Sequence, residues 1–191
     1  MKELRKRIIL GLVSMNILEG IRFYLGFGSI WSITEFSGKM PGSSRILQLI
    51  SRDENKHLEF SQYTINTLKR TNEFKDVWHE LIPKVYDMYF EASEEEFSWA
   101  DELFKHGSIM GMNAEIGKMY IKFLTNKRLQ AIGLKPIYPE IKKNPLPWIR
   151  KYLDYSLFEK ALQESEEIDY KLDPINYEKD NVTYEEIFSL V

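Results

Sequence analysis

The 191-residue chain has no cysteine, which excludes disulfide bonds and thiolate metal sites and fits a reducing cytoplasm. It also lacks a recognisable signal peptide, and we find no apolar run long enough to predict a membrane span. No basic stripe indicates nucleic-acid binding. We therefore expect a cytoplasmic protein with no membrane and no nucleic-acid partner. Its length suits one domain with a sizeable core.

Alternating apolar and polar residues, the pattern of half-buried strands, are also missing, so we predict an all-α fold. The helices are expected at about Lys2–Phe36, Ser43–Arg70, Phe74–Lys105 and Asn113–Ala131. Ser43 or Ser44 would cap the second helix and Asn113 the fourth. Pro83 would bend or divide the third helix.

Negative charge is concentrated near the C-terminus. Residues 164–191 contain nine acidic and two basic side chains, a net charge of -7 in a chain of net charge -3, so residues 1–163 carry about +4. We interpret residues 1–160 as a helical domain and 161–191 as a disordered acidic tail. Because residues 184–191 are again apolar, the tail suits a groove on another protein. An unimportant frayed end is the alternative.

One short segment carries a possible metal-binding pair. Glu54 and His57 lie three residues apart in a predicted helix, so they share a face and suit a metal such as iron or manganese. An ordinary polar helix face also explains the pair taken alone. Upstream, Glu19 is the single carboxylate in the apolar run Met15–Tyr24, where it must be neutral, hydrogen-bonded or bound to a cation. A Glu facing a Glu-x-x-His is half of a carboxylate metal site in a helical bundle.

Gly20, Gly26 and Gly28 lie inside the first predicted helix, and each is unfavourable in a helix by roughly 1 kcal/mol relative to alanine. Two explanations fit them equally well at this stage. One is close packing between helices, and the other is a local distortion of the helix near Glu19.

Five ordered segments resemble the small (β) subunit of class I ribonucleotide reductase, most closely its class Ia branch. They are Leu18–Tyr24, Ile50–His57, Trp99–Asp101, Asn126–Leu134 and Asn144–Trp148. The resemblance implies a ferritin-like helical bundle with a di-iron centre that reacts with O2 and oxidises a nearby tyrosine to a stable radical. The radical then passes to the large (α) subunit, where it starts the reduction of ribonucleotides to deoxyribonucleotides.

The same resemblance implies roles for particular residues. Glu19, Glu54 and His57 match metal ligands, with Glu54 as the bridge between two metals. Phe23, Phe27 and Ile50 match the apolar pocket that shields the radical from water.

The resemblance also implies a route for the radical out of the bundle. Asp53 matches a carboxylate that supports a metal-bound imidazole and belongs to this route, and Arg52 beside it would assist. Tyr170 matches a tail tyrosine that relays the radical, with Tyr177 less well placed. Residues 170–191 match the segment that docks on the large subunit.

The first half of the family pattern is absent, including the other metal ligands, the radical tyrosine and the upstream tryptophan of the radical route. We therefore expect the C-terminal half of a small subunit, completed by a separate N-terminal half and assembled as a two-fold dimer. A naturally split subunit is favoured over a truncated chain. The metal pair could be iron alone or iron with manganese. Two alternatives are a non-catalytic protein that binds the large subunit through its tail, and a simple metal-binding bundle.

Overall fold

The computed structural model describes residues 1–153, and within that range the regular secondary structure is helical, apart from a single isolated β-bridge between Ile109 and Met112. The helices are α1 (Lys2–Ile17), a π-helix (Leu18–Arg22), α2 (Tyr24–Ser37), α3 (Pro41–Leu68), α4 (Lys75–Leu103), α5 (Ala114–Ala131), a 3-10 helix (Pro147–Ile149) and α6 (Arg150–Leu153). The all-α prediction is confirmed. The predicted tail, including Tyr170 and Tyr177, lies outside the described residues.

The first predicted helix is present but interrupted. Its N-terminal part, α1, packs against α3 and α4, and the π-helix separates it from α2. Gly38, with φ of +67°, ends α2 in the left-handed region. The sequence therefore predicts the extent of this helical run, and a distortion near Glu19, one of the two explanations left open for the glycines, is present.

The start of α3 differs from the prediction. The helix begins at Pro41, directly after Met40 with φ of +59°, so neither Ser43 nor Ser44 caps it. Proline suits the first helical turn because its fixed φ is already helical and its missing N–H needs no partner there. The serines therefore lie inside the helix, and Ser44 is buried.

Two later predictions can be compared directly. Helix α4 runs from Lys75 to Leu103 with Pro83 inside it, so Pro83 does not divide the helix in two. Asn113 caps α5 as predicted, since its Oδ1 accepts the backbone N–H of Ile116 at 2.9 Å.

The core lies between α1, α2, α3, α4 and α5. Its most completely buried large side chains are Ile9, Ile21, Tyr24, Leu25, Trp31, Ile65, Tyr89, Met112, Tyr120, Ile121, Leu129 and Ile132. These side chains supply the apolar burial that stabilises the bundle.

The expectation that no run is long enough to span a membrane is wrong as stated. The stretch Lys2–Ser37 is long and apolar enough by length and composition. The same pattern is typical of a core helix, and this stretch buries Ile9, Val13 and Trp31 against neighbouring helices.

Candidate metal centre

The structure brings the three predicted metal ligands together from two antiparallel helical segments. One donor atom from each of Glu19, Glu54 and His57 lies within 4.8 Å of the others. His57 Nδ1 is 3.1 Å from Glu54 Oε2 and 3.8 Å from Glu19 Oε2. Within residues 1–153 this is the single group of three or more potential ligands that approach so closely.

The backbone around each ligand accounts for this convergence. Glu54 and His57 are presented by one face of the regular helix α3, as their three-residue spacing predicts. Glu19 lies in the π-helix Leu18–Arg22, which accommodates one more residue than an α-helical turn. This insertion turns the residues on either side relative to each other, and π-helical turns of this kind are frequent at functional sites.

Gly20 shows that close packing and helix distortion are both present. A Cβ atom on Gly20 would lie 2.9 Å from Arg128 Nε and 3.0 Å from Leu58 Cδ1, closer than normal contact. Arg128 also donates its Nε–H to the carbonyl oxygen of Gly20 at 3.1 Å. Its guanidinium lies over the ring of Tyr24, 5.4 Å from the centroid. Arg128 and Leu58 therefore both pack closely against Gly20, the residue after Glu19.

The carboxyl groups of Glu19 and Glu54 lie close together beside His57. A hydrogen bond with Glu54, followed by burial and the Glu54 charge, raises the pKa of Glu19 to about 7, while His57 acts in the opposite direction. The side chains of Glu19 and Glu54 are 16% and 18% exposed. Two partly buried carboxylates beside an imidazole fit part of a site for iron or manganese, since both metals accept oxygen and nitrogen ligands.

The centre is open on one side, because the His57 side chain is 58% exposed. Exposed apolar residues also lie along both ligand-bearing helical segments. We call these the apolar stripes, consisting of Leu4, Ile8, Met15 and Leu18 on α1 and the π-helix, and Ile46, Leu49, Ile50 and Phe60 on α3. Monomeric proteins rarely leave large apolar patches uncovered.

Of the three residues predicted to form the apolar pocket, Phe23 and Phe27 lie next to each other. The rings of Phe23 and Phe27 stack with centroids 6.2 Å apart and planes 23° apart. Phe27 is buried, whereas Phe23 is partly exposed. Ile50 lies on the exposed stripe of α3, one to two turns before His57.

The two residues predicted for the radical route lie at the surface of α3. Arg52 Nε is 3.9 Å from Asp53 Oδ1, and the Asp53 side chain is more than half exposed. The carboxylates that lie beside His57 are those of Glu54 and Glu19. The described structure therefore shows no hydrogen bond between Asp53 and the imidazole.

Arg128 supports the site, although the sequence predicted no role for it. Arg128 lies in a segment that matches the family pattern, yet nothing local links it to Gly20, which is 108 positions away. A signal for this contact does exist, because a glycine inside an apolar helix indicates close approach by another group.

Fold and site together define a helical-bundle protein with a carboxylate–histidine group that could hold a metal ion. Comparison with known proteins makes this more specific: residues 2–145 match the family model "Ribonucleotide reductase, small chain". The chain belongs to the ribonucleotide reductase small-chain family.

Individual relatives agree with this assignment. The chain is 37% identical over 186 residues to the "Ribonucleoside-diphosphate reductase subunit beta" of Buchnera aphidicola subsp. Baizongia pistaciae, covering 96% of this chain and 49% of that protein. It is 36% identical over 183 residues to "Ribonucleoside-diphosphate reductase 1 subunit beta" of Salmonella typhimurium, covering 94% and 48%. The chain thus spans about half the length of the curated relatives it matches.

Solved structures show the same similarity. The R2 subunit of ribonucleotide reductase from Clostridium botulinum aligns with a TM-score of 0.69 and 40% identity, over 75% of this chain and 44% of that chain. A putative class I ribonucleotide reductase from Bacillus halodurans aligns with a TM-score of 0.70 and 32% identity, over 78% and 52%. The predicted ferritin-like bundle is confirmed as the fold class.

Proposed function

We propose that this chain is the C-terminal half of a class I ribonucleotide reductase small subunit and supplies one side of its di-metal centre. In this proposal the completed cytoplasmic subunit generates and stores a tyrosyl radical for reduction of ribonucleoside diphosphates. The observation that carries the proposal is the convergence of Glu19, Glu54 and His57 from two helical segments in a member of this family.

The three side chains have distinct parts in metal binding. Glu54 would be the ligand shared by the metal pair, the role that its match to the family implies, and its carboxylate lies beside both Glu19 and His57. His57 would use Nδ1, the ring nitrogen that faces both carboxylates. When bound, iron, or iron with manganese, supplies the one-electron oxidation chemistry of the family.

Proton release accompanies metal binding at this centre. Near pH 7 the Glu19 carboxyl retains a proton for part of the time, because it lies against Glu54 in a partly buried position. To hold a metal cation together with Glu54, Glu19 would have to release that proton. Metal affinity should therefore rise as the pH increases through about 7, the pKa of Glu19.

The remaining ligands and the radical tyrosine come, in this proposal, from a separate N-terminal half. The apolar stripes support such a partner, since they lie along both ligand-bearing helical segments and a complete bundle would have further helices. Packing of those helices would also cover His57 and the exposed edge of Phe23.

Phe23, Phe27 and Ile50 exclude water from the radical in this proposal. The stacked rings of Phe23 and Phe27 support it, together with the burial of Phe27. Asp53, assisted by Arg52, forms part of the radical route, and Tyr170 relays the radical to the large subunit through residues 170–191. The completed small subunit pairs as a two-fold dimer, the commonest oligomeric symmetry.

Radical formation tests the proposal. Mixing the full chain with the missing half, Fe(II) and O2 should give a tyrosyl radical signal by electron paramagnetic resonance. Glu54→Ala should abolish that signal. Glu59→Ala is the matched control, because Glu59 lies on the same helix but is exposed and pairs with Lys56. A complex that forms without any radical would refute the proposal. Unimpaired function of the Glu54→Ala chain would favour the non-catalytic interaction protein.

Metal binding by the chain alone gives a second test. Co(II) added to the full chain should produce saturable ligand-field absorption bands that Glu54→Ala removes and Glu59→Ala retains. The affinity should increase between pH 6 and pH 8, as expected when Glu19 loses its proton near pH 7. Bands that persist in Glu54→Ala would contradict the assignment of the site.

A further inference from the structure

A second polar cluster lies in the core beside the metal centre and involves none of the metal ligands. It consists of Asn16 on α1, Ser61 on α3 and Tyr89 on α4, and all three residues are fully buried. Tyr89 donates its hydroxyl hydrogen to Asn16 Oδ1 at 2.6 Å, and Asn16 Nδ2 donates to Ser61 Oγ at 3.0 Å. Ser61 Oγ in turn donates to the carbonyl oxygen of Leu58 at 3.0 Å. Each donor in this chain therefore has an acceptor.

The cluster lies one helical turn from the metal ligands on both helices. Asn16 precedes Glu19 by three residues, and Ser61 follows His57 by four. Because α1 and α3 run antiparallel, the Asn16–Ser61 bond and the Glu19–His57 approach are successive cross-connections between the same two helices. The hydrogen-bond chain ends on the carbonyl of Leu58, the residue that follows His57.

Further cross-connections continue in the same order. The Tyr24 hydroxyl donates to Asn55 Oδ1 at 3.1 Å, and Trp31 Nε1 donates to the carbonyl of Ser44 at 3.3 Å. Residue numbers rise along the first helical run as they fall along α3. A single register of the two helices satisfies all of these bonds.

Apolar packing alone does not fix that register so firmly, because the hydrophobic effect is non-directional. A shift of one helical turn moves a residue by about 5.4 Å, which exceeds the 4.8 Å that encloses the donor atoms of Glu19, Glu54 and His57. The same shift would leave the buried amide of Asn16 without its partners, and an unpaired polar group in the core is costly. The polar cluster therefore selects the one register in which the three ligands meet.

We propose that Asn16, Ser61 and Tyr89 are positioning residues that fix α1 against α3 and so place Glu19 opposite Glu54 and His57. The metal-binding part of this inference rests on the proposed function, whereas the register can be tested separately. Buried polar groups that specify one arrangement at some expense in stability are known in other helical proteins.

The variant that tests the register replaces all three polar groups by apolar groups: Asn16→Leu, Ser61→Ala and Tyr89→Phe together. No buried donor or acceptor of the three side chains is then left unpaired, so the chain can still fold while the directional bonds are lost. The matched control is Ser93→Ala with Thr125→Val, which removes a buried hydroxyl pair 3.0 Å apart between α4 and α5. That pair joins no ligand-bearing helices.

Spin-label distances report the register directly. The chain has no cysteine, so cysteines introduced at the exposed positions Arg7 on α1 and Glu59 on α3 can be labelled alone. In the otherwise unchanged chain and in the control we expect one narrow distance distribution. In the triple variant we expect a distribution broadened or displaced by up to about 5 Å, one helical turn. The same narrow distribution in the triple variant would overturn the proposal.

A second variant keeps the test decisive if the triple variant does not fold. Ser61→Ala removes only the hydrogen bond from Asn16 and the hydrogen bond to the Leu58 carbonyl. A distance distribution as narrow as that of the unchanged chain would again overturn the proposal. Folding of each variant is checked by far-UV circular dichroism before labelling.

Co(II) binding to the full chain separates this inference from the proposed function. The triple variant should bind Co(II) about 10-fold or more weakly than the unchanged chain, the usual effect of losing residues that orient ligands, with the control unchanged. Equal affinity in the triple variant would overturn the positioning role even if the helices shift. Co(II) bands that persist in Glu54→Ala would instead contradict the proposed site, and the spin labels would still decide the register.

Discussion

Gly20 and Gly26 form a matched pair for testing the close packing beside Glu19. Both lie in the first helical run and have no positive φ, yet their surroundings differ. A Cβ atom at Gly20 would lie 2.9 Å from Arg128 Nε and 3.0 Å from Leu58 Cδ1, whereas at Gly26 it would meet nothing within 4 Å. Alanine at the two positions therefore separates steric cost from helix propensity.

The expected effects have opposite signs. At Gly26, alanine should raise the free energy of unfolding by about 0.5–1 kcal/mol through helix propensity and a less flexible unfolded chain. At Gly20, displacing Leu58 and Arg128 costs about 1–3 kcal/mol in overpacking, and weakening the Arg128–Gly20 hydrogen bond costs about 1 kcal/mol more. After the propensity gain, we expect Gly20→Ala to lower the free energy of unfolding by about 1–3 kcal/mol.

Urea denaturation followed by far-UV circular dichroism measures both variants. The expected result is a lower midpoint for Gly20→Ala and a higher midpoint for Gly26→Ala, with unchanged denaturant slopes. If Gly20→Ala is as stable as Gly26→Ala, then Arg128 and Leu58 do not constrain the residue after Glu19, and the description of this contact is wrong.

Two further predictions concern stability. Asn113→Ala should lower the free energy of unfolding by about 1 kcal/mol in urea denaturation, because α5 loses its N-cap; no change would mean that the cap is not formed. Burial raises the pKa of Glu96 to about 7, although Arg22 opposes this, so the folded state loses stability as the pH rises from about 4.5 to 7. At pH 8, the free energy of unfolding of Glu96→Gln in urea denaturation should therefore be roughly 1–3 kcal/mol higher than that of the unchanged chain. At pH 5 the two free energies should differ little. An equal difference at both pH values would contradict this explanation.

Much of the fold could be predicted from local patterns. The helices α3, α4 and α5 have their predicted positions within a few residues, and Asn113 caps α5, because apolar spacing and capping chemistry are local signals. The start of α3 was missed because Pro41 begins the helix before the serines offer their hydroxyl groups. Continuous packing carries α4 through Pro83, and a local pattern does not show this.

The candidate site, like the fold, could be predicted from local patterns only in part. The shared face of Glu54 and His57 follows from their spacing, whereas the glycines left a distortion near Glu19 and close helix packing equally open. The partners that fix these groups come from distant parts of the chain. Arg128 reaches Gly20 from α5, and Asn16 reaches Ser61 from α1. Such contacts depend on the packed register of the helices, so a local pattern can indicate close approach at Gly20 but cannot identify the partner.

The π-helix makes the metal centre sensitive to chain length as well as to residue type. Deleting one residue other than Glu19 from Leu18–Arg22 would let the run continue as ordinary α-helix, and Glu19 would lose the widened turn that presents it. Every ligand would still be encoded, but Glu19 would no longer be held in the same position relative to Glu54 and His57. The loss of a single codon here would thus weaken metal binding without changing any side chain that holds the metal.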